Sequence, residues 1–81
     1  MDYDVIQAKY LGGYRVRLRF RDGVEGDIDL EAHLWGPVFE PLKDVEFFRK
    51  FRVDPESHTL VWPNGADIAP ETLHDRTQSL A

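Results

Sequence analysis

Tyr14-Arg15-Val16-Arg17-Leu18-Arg19-Phe20-Arg21-Asp22-Gly23-Val24-Glu25-Gly26-Asp27-Ile28-Asp29-Leu30-Glu31 decides how this chain folds. Up to Arg21 an apolar or aromatic residue alternates with arginine; from Val24 an apolar residue or glycine alternates with a carboxylate. Side chains of successive strand residues point to opposite faces, so period-two alternation on both sides of Asp22-Gly23 reads as a β-hairpin with one apolar and one charged face. The loop length sets the register. A three-residue loop, Arg21-Asp22-Gly23, places the glycine where a positive φ costs least and sets Phe20 opposite Val24, Arg19 opposite Glu25, Arg17 opposite Asp27 and Arg15 opposite Asp29. A two-residue loop would set Phe20 against Glu25 and force charge onto the apolar face, so the three-residue loop is expected. Arginines facing carboxylates form a charge ladder. Pairs of this kind contribute roughly 0.2–1 kcal/mol each, and their main effect is to hold the register. The other reading of the arginine row is a binding face.

The strands around this hairpin extend the pattern. Val5 to Leu11 reads as a first strand, and Gly12-Gly13 turns it into the arginine strand, making a three-stranded meander. Past Glu31 the character changes. Trp35-Gly36-Pro37-Val38-Phe39-Glu40-Pro41-Leu42 carries prolines that exclude a regular helix or a central strand, so it reads as an ordered loop with apolar anchors. A short helix follows, with Asp44 as N-cap, Glu46 in the first turn, Arg49 and Lys50 in the last, and Phe47, Phe48 and Phe51 as its apolar stripe. Arg52-Val53-Asp54 and Thr59-Leu60-Val61-Trp62 read as short strands. Asn64-Gly65 is a strong hairpin signal that turns Ala66-Asp67-Ile68 back onto the second of them. Pro70 opens a last helical turn, and residues 77–81 read as a frayed tail. The expected fold is α+β: an antiparallel three-stranded meander plus a short C-terminal hairpin, covered by one main short helix, in a single compact domain over residues 1–76.

Composition narrows the function. The chain has 81 residues, no cysteine and a net charge of −5. It has room for one domain and little for a deep cleft, and it offers no disulfide framework, thiolate nucleophile or cysteine-ligated metal. No apolar run nears the roughly 20 residues of a membrane span, and the acidic start Met1-Asp2-Tyr3-Asp4 is unlike a signal peptide, so a cytoplasmic location and no membrane partner are expected. Residues 31–81 hold five basic and nine acidic groups, which repel a polyanion and disfavour nucleic-acid binding by the chain alone. His33, His58 and His74 lack metal-ligand spacing, and Ser57-His58 are neighbours on an extended segment whose side chains diverge. Asp27 and Asp29 share a strand face as an acid–base pair would, but arginine partners would keep both ionised. No catalytic, metal or cofactor site is expected.

The residues left as interaction candidates are Trp35, Trp62, Asn64, Asp67 and the arginines Arg15, Arg17 and Arg19. Trp35 either plugs the sheet edge or stands exposed as a partner anchor. Trp62-Pro63-Asn64-Gly65-Ala66-Asp67 is either a recognition loop or a tight turn in which Trp62 is core and Asp67 ties a backbone amide.

The runs Gly36-Pro37-Val38-Phe39-Glu40-Pro41-Leu42, Val53-Asp54-Pro55-Glu56 and Thr59-Leu60-Val61-Trp62-Pro63-Asn64-Gly65-Ala66-Asp67-Ile68-Ala69-Pro70, with the hairpin ending Asp27-Ile28-Asp29-Leu30, resemble a small bacterial family, domain-of-unknown-function family 2442. The resemblance implies a compact α+β fold and no established enzymatic activity. Some relatives carry an added helix-turn-helix segment, which is not expected here, and others are encoded beside small partner proteins in arrangements suggestive of toxin–antitoxin pairs. The expected function is a non-enzymatic protein-interaction module, the antitoxin-like or regulatory member of a small gene pair, whose partner is a genomic neighbour or a second copy. The alternative is a nucleic-acid-binding regulator using the arginine face.

Overall fold

The computed structural model describes residues 3–79. Strands β1 (Val5–Gly12), β2 (Arg15–Phe20) and β3 (Glu25–Asp29) form the antiparallel meander; β2 and β3 pair in the register that the alternation predicts, while β1 pairs with β2 through two register shifts, between Val5 and Gln7 and between Tyr10 and Gly12. Arg15 lies opposite Asp29, Val16 opposite Ile28, Arg17 opposite Asp27 and Arg19 opposite Glu25. The three-residue loop is closed by Phe20 N–H donating to Val24 O at 2.8 Å and Gly23 N–H donating to Phe20 O at 3.0 Å. Gly23 adopts φ 93°, a conformation that strains any residue with a Cβ.

Beyond β3 the chain makes a 3-10 turn (Glu31–His33), the proline-containing loop, a second 3-10 turn (Glu40–Lys43) and α1 (Val45–Phe48). Asp44 caps α1 as expected, its side chain accepting from Glu46 N–H at 3.0 Å. The helix is shorter than its charge pattern suggests: Arg49 is the C-cap, and Lys50 lies past it, its N–H held by Phe47 O at 3.0 Å. β4 (Arg52–Val53) pairs antiparallel with β5 (Leu60–Val61) as a short hairpin. The Asn64-Gly65 turn then brings the chain back, with Trp62 N–H donating to Ala66 O at 2.9 Å and a single bridge between Val61 and Asp67. α2 (Pro70–Arg76) follows, with proline in its first turn and Leu73 buried.

The chain from residue 77 does not simply trail off as its composition suggests. The backbone of β6 (Gln78–Ser79) pairs with Gly26 and Asp27, adding a fourth strand in the order β1-β2-β3-β6; the remainder of the expected tail, residues 80–81, lies outside the described residues. β3 is thereby covered at its centre by another backbone, which satisfies groups that an edge strand leaves open.

The core lies between the apolar sheet face and the segments folded across it. Val16, Leu18, Phe20, Ile28 and Leu30 from the sheet meet Leu42, Phe48, Leu60, Trp62 and Leu73, all buried. The phenylalanine stripe of the short helix covers the sheet as expected, with Phe48 buried and Phe47 and Phe51 packed partly buried around it. α2 joins it through Leu73, so two helices share the cover.

Candidate interaction surface

On the charged face of the sheet, the ladder is real but uneven. Arg17 Nε donates to Asp27 Oδ1 at 2.8 Å and its Nη2 to Oδ2 at 3.4 Å, a bidentate pair across β2 and β3. Arg15 leans diagonally toward the same carboxylate, with Nη2 3.8 Å from Asp27 Oδ2, and away from Asp29, its register partner. The hydrogen bond from Arg17, only partly offset by desolvation, and the nearby positive charges hold the Asp27 carboxyl below its ordinary range. Asp29 instead accepts from Glu31 N–H at 2.9 Å, capping the turn that follows β3. Arg19 makes no ion pair with Glu25 or with any other carboxylate among the described residues. Asp27 and Asp29 therefore do different structural jobs from one strand face.

Arg21 has a partner that local alternation does not display. Its Nε lies 3.3 Å from Asp4 Oδ2, and its N–H donates to Asp4 O at 2.8 Å. Extending the meander register would have found it, since Val5 lies opposite Phe20 and Asp4 therefore falls beside Arg21. A second pair had no such signal: His74 of α2 and Asp22 of the β2–β3 loop meet at 2.7 Å, with the His74 ring packed 4.8 Å from Phe20 and 4.7 Å from Tyr3. Asp22 also accepts from Val24 N–H, and this bond together with His74, against some desolvation, holds its carboxyl low.

The two tryptophans separate completely. Trp62 is 1% exposed, and its indole Nε1–H donates to Phe48 O at 2.7 Å, so it is a core residue and cannot touch a partner. Trp35 is 74% exposed, and Val38 in the same loop is 55% exposed. Asn64 does not reach outward for a ligand. Its Oδ1 accepts from Ala66 N–H at 3.1 Å, and its Nδ2 donates to Val38 O at 3.0 Å, which fastens the Trp35 loop to the Asn64-Gly65 turn. The Asp67 side chain, expected to tie a backbone amide, makes no hydrogen bond among the described residues; Asp67 is exposed and joins the turn through its backbone bridge to Val61, and it is Asn64 that ties an amide here.

The Trp35 loop is ordered by its own bonds as well. Phe39 N–H and Glu40 N–H both donate to Gly36 O, at 3.1 and 3.0 Å, and Gly36 takes φ 90°. Among the described residues, no group of three or more histidines, cysteines or carboxylates is placed to hold a metal ion, and no helix is long and apolar enough to cross a membrane. Ser57 bonds Asp54, not His58: its Oγ–H donates to Asp54 Oδ2 at 2.7 Å, within a turn that His58 closes at φ 56°.

The meander, the proline loop and the Trp62–Ile68 turn together span the part of the chain recognised by one family model. It is described as Protein of unknown function (DUF2442) and matches residues 5–79, nearly the whole chain. The chain belongs to this family. No curated protein and no solved structure matches significantly. The DUF2442 match takes in both the Trp35 loop and the buried Trp62, and also β6, the strand that closes over β3.

Proposed function

We propose that this DUF2442 chain is a non-enzymatic, cytoplasmic protein-interaction module that presents Trp35 to a partner protein, as the antitoxin-like or regulatory member of a small gene pair. The observation that carries this reading is a tryptophan three-quarters exposed on a loop held in place by Asn64 and by two backbone bonds to Gly36. A tryptophan side chain buries about 150–250 Å², so covering the exposed part of Trp35 would release roughly 3–4 kcal/mol before association costs. Because the loop is already ordered, little conformational entropy remains to be lost there on docking. Central tryptophans of this kind are the usual anchors of protein interfaces.

Co-purification of the tagged chain from native lysate, and with the products of adjacent genes, tests the reading alongside light scattering for self-association. A stoichiometric partner that is retained by the parent and lost by Trp35→Ala, with the fold unchanged, is the expected result. A monomer that retains no stoichiometric partner overturns it. The nucleic-acid alternative rests on Arg15, Arg17 and Arg19, and it is weaker because Arg15 and Arg17 both lean on Asp27. Binding to DNA or RNA at low salt that falls steeply as salt rises would revive it.

A further inference from the structure

Arg15 of β2, His33 of the first 3-10 turn and Arg76 at the end of α2 line one open groove of about 410 Å³, together with Asp27 and Asp29. The acidic and basic groups in this groove are not equally satisfied. Asp27 is held by both forks of Arg17, and Asp29 accepts from Glu31 N–H. On the basic side, Arg15 has only its 3.8 Å approach to Asp27, too long for a hydrogen bond. The side chains of Arg76 and His33 have no hydrogen-bond or ion-pair partner among the described residues. The groove therefore gathers two guanidinium groups and an imidazole from three separate elements, their donors largely unengaged, beside two carboxylates that already accept hydrogen bonds.

We propose that this groove is a binding site for a small oxyanion, a phosphate or a carboxylate, held by Arg15, Arg76 and His33. A guanidinium offers a planar fork of N–H donors that matches the oxygens of either group, and two such forks can grip one anion from opposite sides. The imidazole supplies a further donor once protonated. Partial burial and the nearby Arg76 charge hold His33 below its ordinary proton affinity, and an anion between the two would reverse that shift. Asp27 and Asp29 line the same groove and the chain carries a net charge of −5, so binding is expected in the millimolar range.

The test follows the His33 ring by NMR while inorganic phosphate, and separately acetate, is titrated against chloride at matched ionic strength. A saturable shift with phosphate assigns a phosphate site; one with acetate assigns a carboxylate site. Either should raise the His33 titration midpoint, measured in the field of the groups facing it, Arg15, Asp27, Asp29 and Arg76, and of Glu31 on its own turn. Arg15→Ala and Arg76→Ala should each weaken binding roughly tenfold, while Arg76→Lys should retain part of it. Both arginines are exposed, so circular dichroism should show unchanged folds. Responses to both anions that match chloride, or a saturable response that survives both alanine variants, overturn the proposal.

Discussion

Replacing Trp62 by phenylalanine separates the core reading of this residue from the recognition reading. The substitution keeps an aromatic ring in contact with Phe48 and Phe51, whose ring centroids lie 5.8 and 6.2 Å from that of Trp62. It removes the outer part of the indole from a site that is 1% exposed and deletes the donor that satisfies Phe48 O. The lost contacts and residual cavity cost about 1–2 kcal/mol, well under a full truncation to alanine. A buried carbonyl left without its donor adds about 1–3 kcal/mol. The sum, roughly 2–5 kcal/mol, is a large part of the roughly 4–12 kcal/mol that a domain of this length holds. At about 4–8 °C per kcal/mol for a domain of this size, the melting temperature should drop by roughly 8–40 °C. Urea and thermal unfolding followed by far-ultraviolet circular dichroism measure both. In the Trp35→Phe background, Trp62 is the sole tryptophan; its emission should be blue-shifted and resist acrylamide until the protein unfolds. A loss below about 1 kcal/mol in Trp62→Phe, or free quenching of folded Trp62, would refute the core assignment.

Trp35→Ala should change unfolding free energy by no more than about 0.5 kcal/mol, measured in the same urea titrations, because its ring is largely in solvent. Asn64→Ala removes two hydrogen bonds that join the turn to Val38 and Ala66, and should destabilise by about 1–2 kcal/mol in those titrations, with faster hydrogen exchange at Ala66 N–H. Gly23→Val forces a β-branched residue to φ 93° and should cost at least 1–2 kcal/mol by thermal melting. Acid sensitivity follows from the depressed carboxyls of Asp22, Asp27 and Asp54. Their folded affinity for protons lies below the unfolded value of 3.8, so their contribution is complete above about pH 4 and is lost as pH falls through the lower folded values. Denaturation midpoints measured from pH 6 down to 2 should therefore fall mainly below pH 4, and Asp27→Asn should flatten part of that fall.

The meander's strand order and the register of its β2–β3 hairpin are legible in the sequence because they are written in consecutive residues. Alternation assigns each side chain to a face, and Gly23 fixes the loop length, so Arg17 meeting Asp27 follows from local chemistry alone. The Asp44 cap and the Asn64-Gly65 turn are local in the same sense. Even there, local reading reached only as far as the backbone: Arg15 faces Asp29 in register, yet its long side chain leans to Asp27, a choice among rotamers that spacing does not encode.

Folding across the sheet settled what neighbouring residues could not. Both tryptophans precede a turn, and nothing in their immediate sequence separates them. Trp62 is buried because Phe48, fourteen positions earlier, presents a carbonyl to its indole, whereas Trp35 is left in solvent on a loop that Asn64 pins from twenty-six positions away. His74 reaches Asp22 and the chain at Gln78 reaches Asp27 for the same reason. Periodicity and turn residues are properties of adjacent positions. The burial of a lone aromatic, or the partner of a lone charge, depends on which distant segment the whole fold sets beside it.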